Sequence, residues 1–271
     1  MKAHHLPRLR RPVPLRRGIA ILPSLFTVAN MLAGYYAIIA ATRRDFDLAV
    51  TMIVIAGILD SLDGRIARMT GTTSEFGKEL DSLSDFLSFG IAPALVLFHW
   101  GLGDLNRWGW LLAFLLPVGG ALRLARFNVQ AKVADKRYFV GLPIPAAAAA
   151  AVLPLYYLQD GQGGLPLWLK RAAVAYVVTL ACLMVSLFRY RSMKDLDVRE
   201  RRPPVMVFLL AAFFVLVLIN PRAVLLTMAL VYAASGPAGW AWDRLRGRRT
   251  IGPPAVASQV SSSKPEPLDG E

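Results

Sequence analysis

A chain of 271 residues that is 55% hydrophobic, with a mean hydropathy of +0.46, holds more apolar surface than a soluble domain of its size buries, so bilayer is its expected solvent. The net charge of +13, from 31 Lys and Arg against 18 Asp and Glu, falls in short loops between apolar runs without a nucleic-acid-binding motif, which excludes nucleic acid and fits anionic lipid. One cysteine, Cys182, excludes an internal disulfide, and His4, His5 and His99 form no zinc-type cluster with it.

In chain order, "MKAHHLPRLRRPVPLRR" at 1–17 reads as a basic arm lying on headgroups. The apolar run that follows, about twenty-two residues, is longer than a signal-peptide core and reads as a retained span. A membrane helix needs about twenty mostly apolar residues. Eight runs qualify: 20–41, 46–66, 81–100, 108–128, 142–159, 171–189, 205–220 and 222–240. Pro143 and Pro145 suit the loop and first turn of the fifth, whose "AAAAAA" at 146–151 favours close packing in lipid. In "INPRA", Pro221 ends one helix and starts the next. The polar, Pro- and Ser-rich end reads as disordered. The expected fold is all-α, a polytopic membrane bundle of about eight helices.

The loops orient it. With eight spans, 25 of the 31 basic residues lie on the side of both termini and 6 on the other. That bias places both termini in the cytoplasm. No internal repeat is apparent, which disfavours the repeat-built transporters.

Against this apolar background, "ILDSLDGRIARMTGTTSEFGKELDSLSDF" puts four aspartates, Asp60, Asp63, Asp81 and Asp85, in or beside two spans. Ionised carboxylates at membrane depth need compensation. At about 100° per residue, Asp60, Asp63, Gly64 and Ala67 share one sector of the second span, with Arg68 at its edge. Gly77, Asp81, Ser84, Asp85 and Ser88 form a stripe on the third. A cytoplasmic loop joins the two spans, so both stripes lie at one depth and can face each other. Arg68 alone is aligned to help, so divalent cations are the expected compensation. Oxygen donors in this number suit Mg²⁺, Mn²⁺ or Ca²⁺, and two ions on four carboxylates suit phosphoryl-type transfer. The bland alternative is a salt-bridged interfacial loop, and a rival of another class is a cation transporter. Thr27, Asn30 and Gly34 share a face of the first span. Asn30 either reaches the cleft or bonds between helices, the second being favoured.

Asp60-x2-Asp63-Gly64-x2-Ala67-Arg68-x8-Gly77-x3-Asp81-x3-Asp85 resembles, position for position, the signature of the CDP-alcohol phosphotransferase family. The resemblance implies an integral membrane enzyme that cleaves a CDP-linked lipid or alcohol, transfers its phosphoryl-bearing part to a hydroxyl and releases CMP. It implies a six-helix catalytic core at 18–203, an additional helix pair at 204–242 and a tail at 243–271. Asp60, Asp63, Asp81 and Asp85 would hold two divalent ions, Mg²⁺ or Mn²⁺, with Asp85 also the base for the acceptor hydroxyl. Asp60, Asp63, Gly64, Ala67, Arg68, Gly77 and Asp81 would line the CDP site. A homodimer, in a bacterial-type inner membrane with its site facing the cytoplasm, is also implied.

"LPSLFTVANMLAGYYAI", "ALRLARFNV" and "FVGLPIPAAAAAAV" are similar to the bacterial and archaeal branch that takes CDP-diacylglycerol and serine. One departure is Ser24, where asparagine is expected after the proline. Arg123 and Arg126, level with the aspartates, could grip a carboxylate at two points, or snorkel to headgroups. An acceptor such as glycerol 3-phosphate or inositol phosphate would use the same arginines, so the preference for serine rests on the flanking resemblance.

Overall fold

The computed structural model describes residues 17–71, 74–130, 138–158, 166–191 and 215–246. The expected arm at 1–16, most of the seventh span (205–214) and the tail from 247 lie outside the described residues; 215–219 are helical. Besides that stretch, the described residues form eight α-helices: α1 (Arg17–Thr42), α2 (Phe46–Thr70), α3 (Glu75–Asp85), α4 (Ala92–Trp100), α5 (Arg107–Gln130), α6 (Ile144–Val152), α7 (Leu167–Val185) and α8 (Pro221–Leu245). A short antiparallel ribbon, β1 (Tyr138–Val140) against β2 (Arg189–Arg191), is added, with Phe139 opposite Tyr190. The protein is an all-α polytopic membrane protein, and among the described residues five segments are long and apolar enough to cross a bilayer: Pro23–Thr42, Glu75–Trp100, Arg107–Val129, Leu167–Val185 and Pro221–Trp242.

The boundaries differ from expectation for identifiable reasons. The third span begins at Glu75 rather than 81, because Ser74 caps it: its hydroxyl accepts from Gly77 N at 3.0 Å. The fifth is shorter than 142–159. α6 tightens after Val152 into a 3₁₀ turn at Leu153–Tyr156, where Pro154 has no N–H to continue the ladder. Those thirteen residues reach only about 20 Å of a roughly 30 Å apolar slab. Its alanines are the reason it can sit inside the bundle: Ala147, Ala148, Ala150 and Ala151 are all buried. The sixth runs over Leu167–Val185 rather than 171–189, and Lys170, expected in the loop, pairs with Asp104 at 2.6 Å from the first turn of α7. α8 begins as expected at Pro221, with Asn220 accepting from Ala223 N at 3.1 Å.

α1 and α2 pack as an antiparallel hairpin along small residues: Ala33, Ala37, Ala40 and Ala41 from one, Ala49 and Ala56 with Val50 and Ile53 from the other. Between α3 and α4 the helix widens into a π-turn, Phe86–Ile91, so Glu75–Trp100 continues as one rod of changed pitch. Two serines bind this rod to α1: Ser84 Oγ donates to Thr27 O and Ser88 Oγ to Asn30 O, each at 3.1 Å. At the crossing Gly34 is indispensable, because a Cβ there would fall onto Ser88 Oγ and within 2.7 Å of its Cα. Gly34→Ala is therefore expected to destabilise the protein by about 1–3 kcal/mol through overpacking, read as a lower thermal midpoint in detergent. An unchanged midpoint would mean the crossing relaxes freely.

The ends of the helices away from the aspartates are tied together. Tyr156 Oη and Thr51 Oγ1 share a hydrogen bond of 2.8 Å, joining the 3₁₀ turn after α6 to the start of α2. Arg222 of α8 lies over the Tyr156 ring, 4.4 Å from its centroid, and 3.8 Å from Asp47.

Candidate active site

The aspartates stand where the spacing puts them, two on the last turns of α2 and two on α3. One carboxylate oxygen each from Asp60, Asp63 and Asp81 lies within 4.8 Å of the others. Asp85 joins through a side-chain hydrogen bond with Asp60. Asp63 is 4% exposed and accepts from Thr27 Oγ1 at 3.0 Å, so the first span supports the site directly. Two oxygens are buried without a partner, Asp81 Oδ1 and Asp85 Oδ1.

Electrostatics makes this group unstable by itself. No lysine or arginine among the described residues stands within 4.0 Å of the four carboxylates; the ion pairs are Lys78–Glu75, Lys170–Asp104 and Arg222–Asp47. Carboxyls at hydrogen-bond distance repel unless a proton or a cation lies between them. Buried oxygens without partners, on an all-oxygen donor set, are what a hard divalent cation satisfies. The residues present fit such an ion.

The neighbouring positions divide into two groups. Gly64 leaves its face open: an added Cβ would meet only the Arg68 guanidinium, at 3.5 Å, and Arg68 acts electrostatically on Asp63. Arg65 and Arg68 are both exposed, and Ala67 is half-buried. Gly77 sits under the Ser74 cap, where a Cβ would come within 3.1 Å of the hydroxyl.

The two arginines of α5 part company. Arg123 is 8% exposed, its Nε has no partner, and both Asp85 and the Tyr232 phenol lie within electrostatic reach. Arg126 Nη1 instead donates to Val185 O at 3.1 Å, holding α5 to the end of α7. Asn128 Nδ2 donates to Ser82 Oγ at 3.1 Å, tying α5 to α3.

Asn30 corrects the favoured expectation. Its backbone carbonyl takes the interhelical bond from Ser88, while Nδ2 and Oδ1 of its wholly buried side chain bond nothing. Tyr232 and Tyr190 carried no signal in the sequence, since an aromatic on an apolar helix or a three-residue strand reads as filling. Burial, with Tyr232 beside it, pushes the Tyr190 phenol up to about 12, so it remains a protonated donor.

With this geometry in place, comparison with known proteins is specific. A sequence model of the CDP-alcohol phosphatidyltransferases matches residues 20–188. The chain is 34% identical over 225 residues to a CDP-diacylglycerol–serine O-phosphatidyltransferase of Helicobacter pylori, covering 81% of this chain and 91% of that one. It is 36% identical over 238 residues to the enzyme of that name from Mycobacterium leprae, covering 85% and 77%. An archaetidylserine synthase of Methanothermobacter thermautotrophicus is 34% identical over 171 residues, covering 62% and 69%.

Proposed function

The chain belongs to the CDP-alcohol phosphatidyltransferase family, and on that premise we propose that it transfers the phosphatidyl group of CDP-diacylglycerol to L-serine, giving phosphatidylserine and CMP. The observation that carries this reading is the meeting of four carboxylates from two helices with no lysine or arginine among the described residues within 4.0 Å of them. The relatives named for serine transfer supply the acceptor.

In this reading the serine hydroxyl attacks the phosphorus bonded to diacylglycerol, the bond from that phosphorus to the CMP oxygen breaks, and Asp85 takes the hydroxyl proton. A pair of Mg²⁺ or Mn²⁺ ions, held by Asp60, Asp63, Asp81 and Asp85, would supply the charge neutralisation that phosphoryl transfer needs. Gly64, Ala67 and Arg68 line the CDP site on the open face of α2, with Gly77 shaping the start of α3. Arg123 presents its buried charge to the serine carboxylate, where desolvation strengthens a charge-assisted contact. Arg126, engaged with Val185, holds α5 in place.

The catalytic core is residues 18–203, with 204–242 an added pair. The site faces the cytoplasm of a bacterial-type inner membrane, supported by the 25-to-6 distribution of basic residues. A homodimer belongs to the same reading, and its mass in detergent checks it. A cation transporter is disfavoured by the relatives, which are named for serine transfer.

The test is CMP release by purified protein with CDP-diacylglycerol, Mn²⁺ or Mg²⁺, and serine, glycerol 3-phosphate or inositol phosphate in turn. Release with serine alone is expected. Release only with a phosphorylated acceptor would reject the serine assignment and leave the family intact.

A further inference from the structure

The last turns of α8 fall in "GWAWDRLRGRR", where four arginines accompany one aspartate within eleven residues. Near the start of the helix, Arg222 is held at the far end of the bundle, beside Asp47 and Tyr156. Twenty residues later, about 30 Å along the axis, Trp242 closes the apolar span Pro221–Trp242. That rise equals the apolar thickness of a bilayer, about 30 Å. The end of α8 therefore stands at the level of the aspartates. There Trp240 meets Phe188 edge-on at 5.8 Å, three residues after the Val185 carbonyl that binds Arg126.

Two pairs of aromatic ring and cation stand at this end. The Arg244 guanidinium lies over the Trp240 ring, 5.2 Å from its centroid, and Arg246 lies over Trp242 at 4.3 Å. Four-residue spacing produces both, because helical side chains lean back onto the turn before them. The two tryptophans are 43% and 57% exposed, both arginines are exposed, and no described carboxylate lies within 4.0 Å of either guanidinium. A stacked guanidinium keeps the N–H donors at its edge available to an anion. Trp108, Trp110 and Trp168 are exposed at the starts of α5 and α7, the opposite level. Among the described residues those three carry no stacked arginine. Exposed tryptophans thus mark both interfaces, and the cation pairs mark one.

We propose that the end of α8 is a binding collar for the headgroups of anionic phospholipids in the leaflet that borders the active site. Trp240 and Trp242 are two positions apart, about 200° around the helix, so the two pairs lie on opposite sides. A folded partner would cover one side. Lipid headgroups surround a helix at the interface and meet both. Each ring sits where the apolar slab gives way to headgroups, and holds its guanidinium at phosphate height instead of leaving it to extend into water. There the guanidinium can grip a phosphate at two points. Each such arginine favours an anionic over a zwitterionic lipid by about fivefold.

The test uses the full-length protein in phosphatidylcholine vesicles containing one-third phosphatidylglycerol, with one lipid or the other brominated near its headgroup to quench tryptophan fluorescence on contact. In the wild type, brominated phosphatidylglycerol should quench about twofold more than brominated phosphatidylcholine at equal mole fraction. Arg244→Gln combined with Arg246→Gln should abolish that excess and leave quenching by phosphatidylcholine as it was. Arg244→Lys with Arg246→Lys keeps the charge but loses the flat stack, and should retain less than about half of the excess. Equal quenching by the two lipids in the wild type overturns the proposal. So does an excess that survives the glutamine pair, which would place the selectivity on other basic residues. A full excess in the lysine pair overturns the role of the stacked guanidinium. Trp240→Phe with Trp242→Phe should lower quenching by both lipids; if it changes neither, protein covers the collar and the proposal fails.

Discussion

Asp85→Asn is expected to lower CMP release by about a thousandfold or more, the range associated with losing a general base, and Asp81→Asn to be similarly damaging. Both substitutions preserve shape. Each also removes one ionisable carboxyl from a group with no lysine or arginine within 4.0 Å among the described residues. Without added metal, the variants should therefore melt no lower than wild type, and relief of repulsion favours a rise. Activity and stability would move in opposite directions, which ordinary misfolding cannot produce. Near-normal turnover in either variant, with the protein folded, would contradict the assignment of these carboxylates to the reaction.

Chelation should have a comparable effect. Removing divalent ions is expected to abolish CMP release, and Mn²⁺ or Mg²⁺ to restore it. The ion should also stabilise the fold, because it binds only where α2 and α3 are already apposed. At a concentration about a hundredfold above its dissociation constant, linkage gives about 2.7 kcal/mol, visible as a rise in the thermal midpoint. Asp60→Asn should weaken that rise, because Asp60 both belongs to the 4.8 Å group and contacts Asp85. A midpoint indifferent to the ion in wild type would count against the metal centre independently of any activity measurement.

Much of this site could be read from spacing. Helical periodicity alone puts Asp60 with Asp63 and Asp81 with Asp85 on single faces, and one short loop makes the two helices antiparallel. The serines at 84 and 88 fell on the same stripe, and the structure shows them bonded to α1. What escaped was set by contacts distant in sequence. The π-turn at Phe86–Ile91 has no residue signature, because it depends on how Glu75–Trp100 meets α1 and α5. The shortness of α6 was hidden by uniform hydropathy, since thirteen mostly apolar residues look like part of a span. Arg123 and Arg126 looked equivalent three positions apart, yet one is enclosed beside Asp85 and the other is spent on a carbonyl of α7.

The knot of Tyr156, Thr51, Arg222 and Asp47 gathers α2, α6 and α8 at the end opposite the aspartates. Widening between these three helices is thereby opposed at that end by an aromatic ring, a hydroxyl and a charge pair acting together.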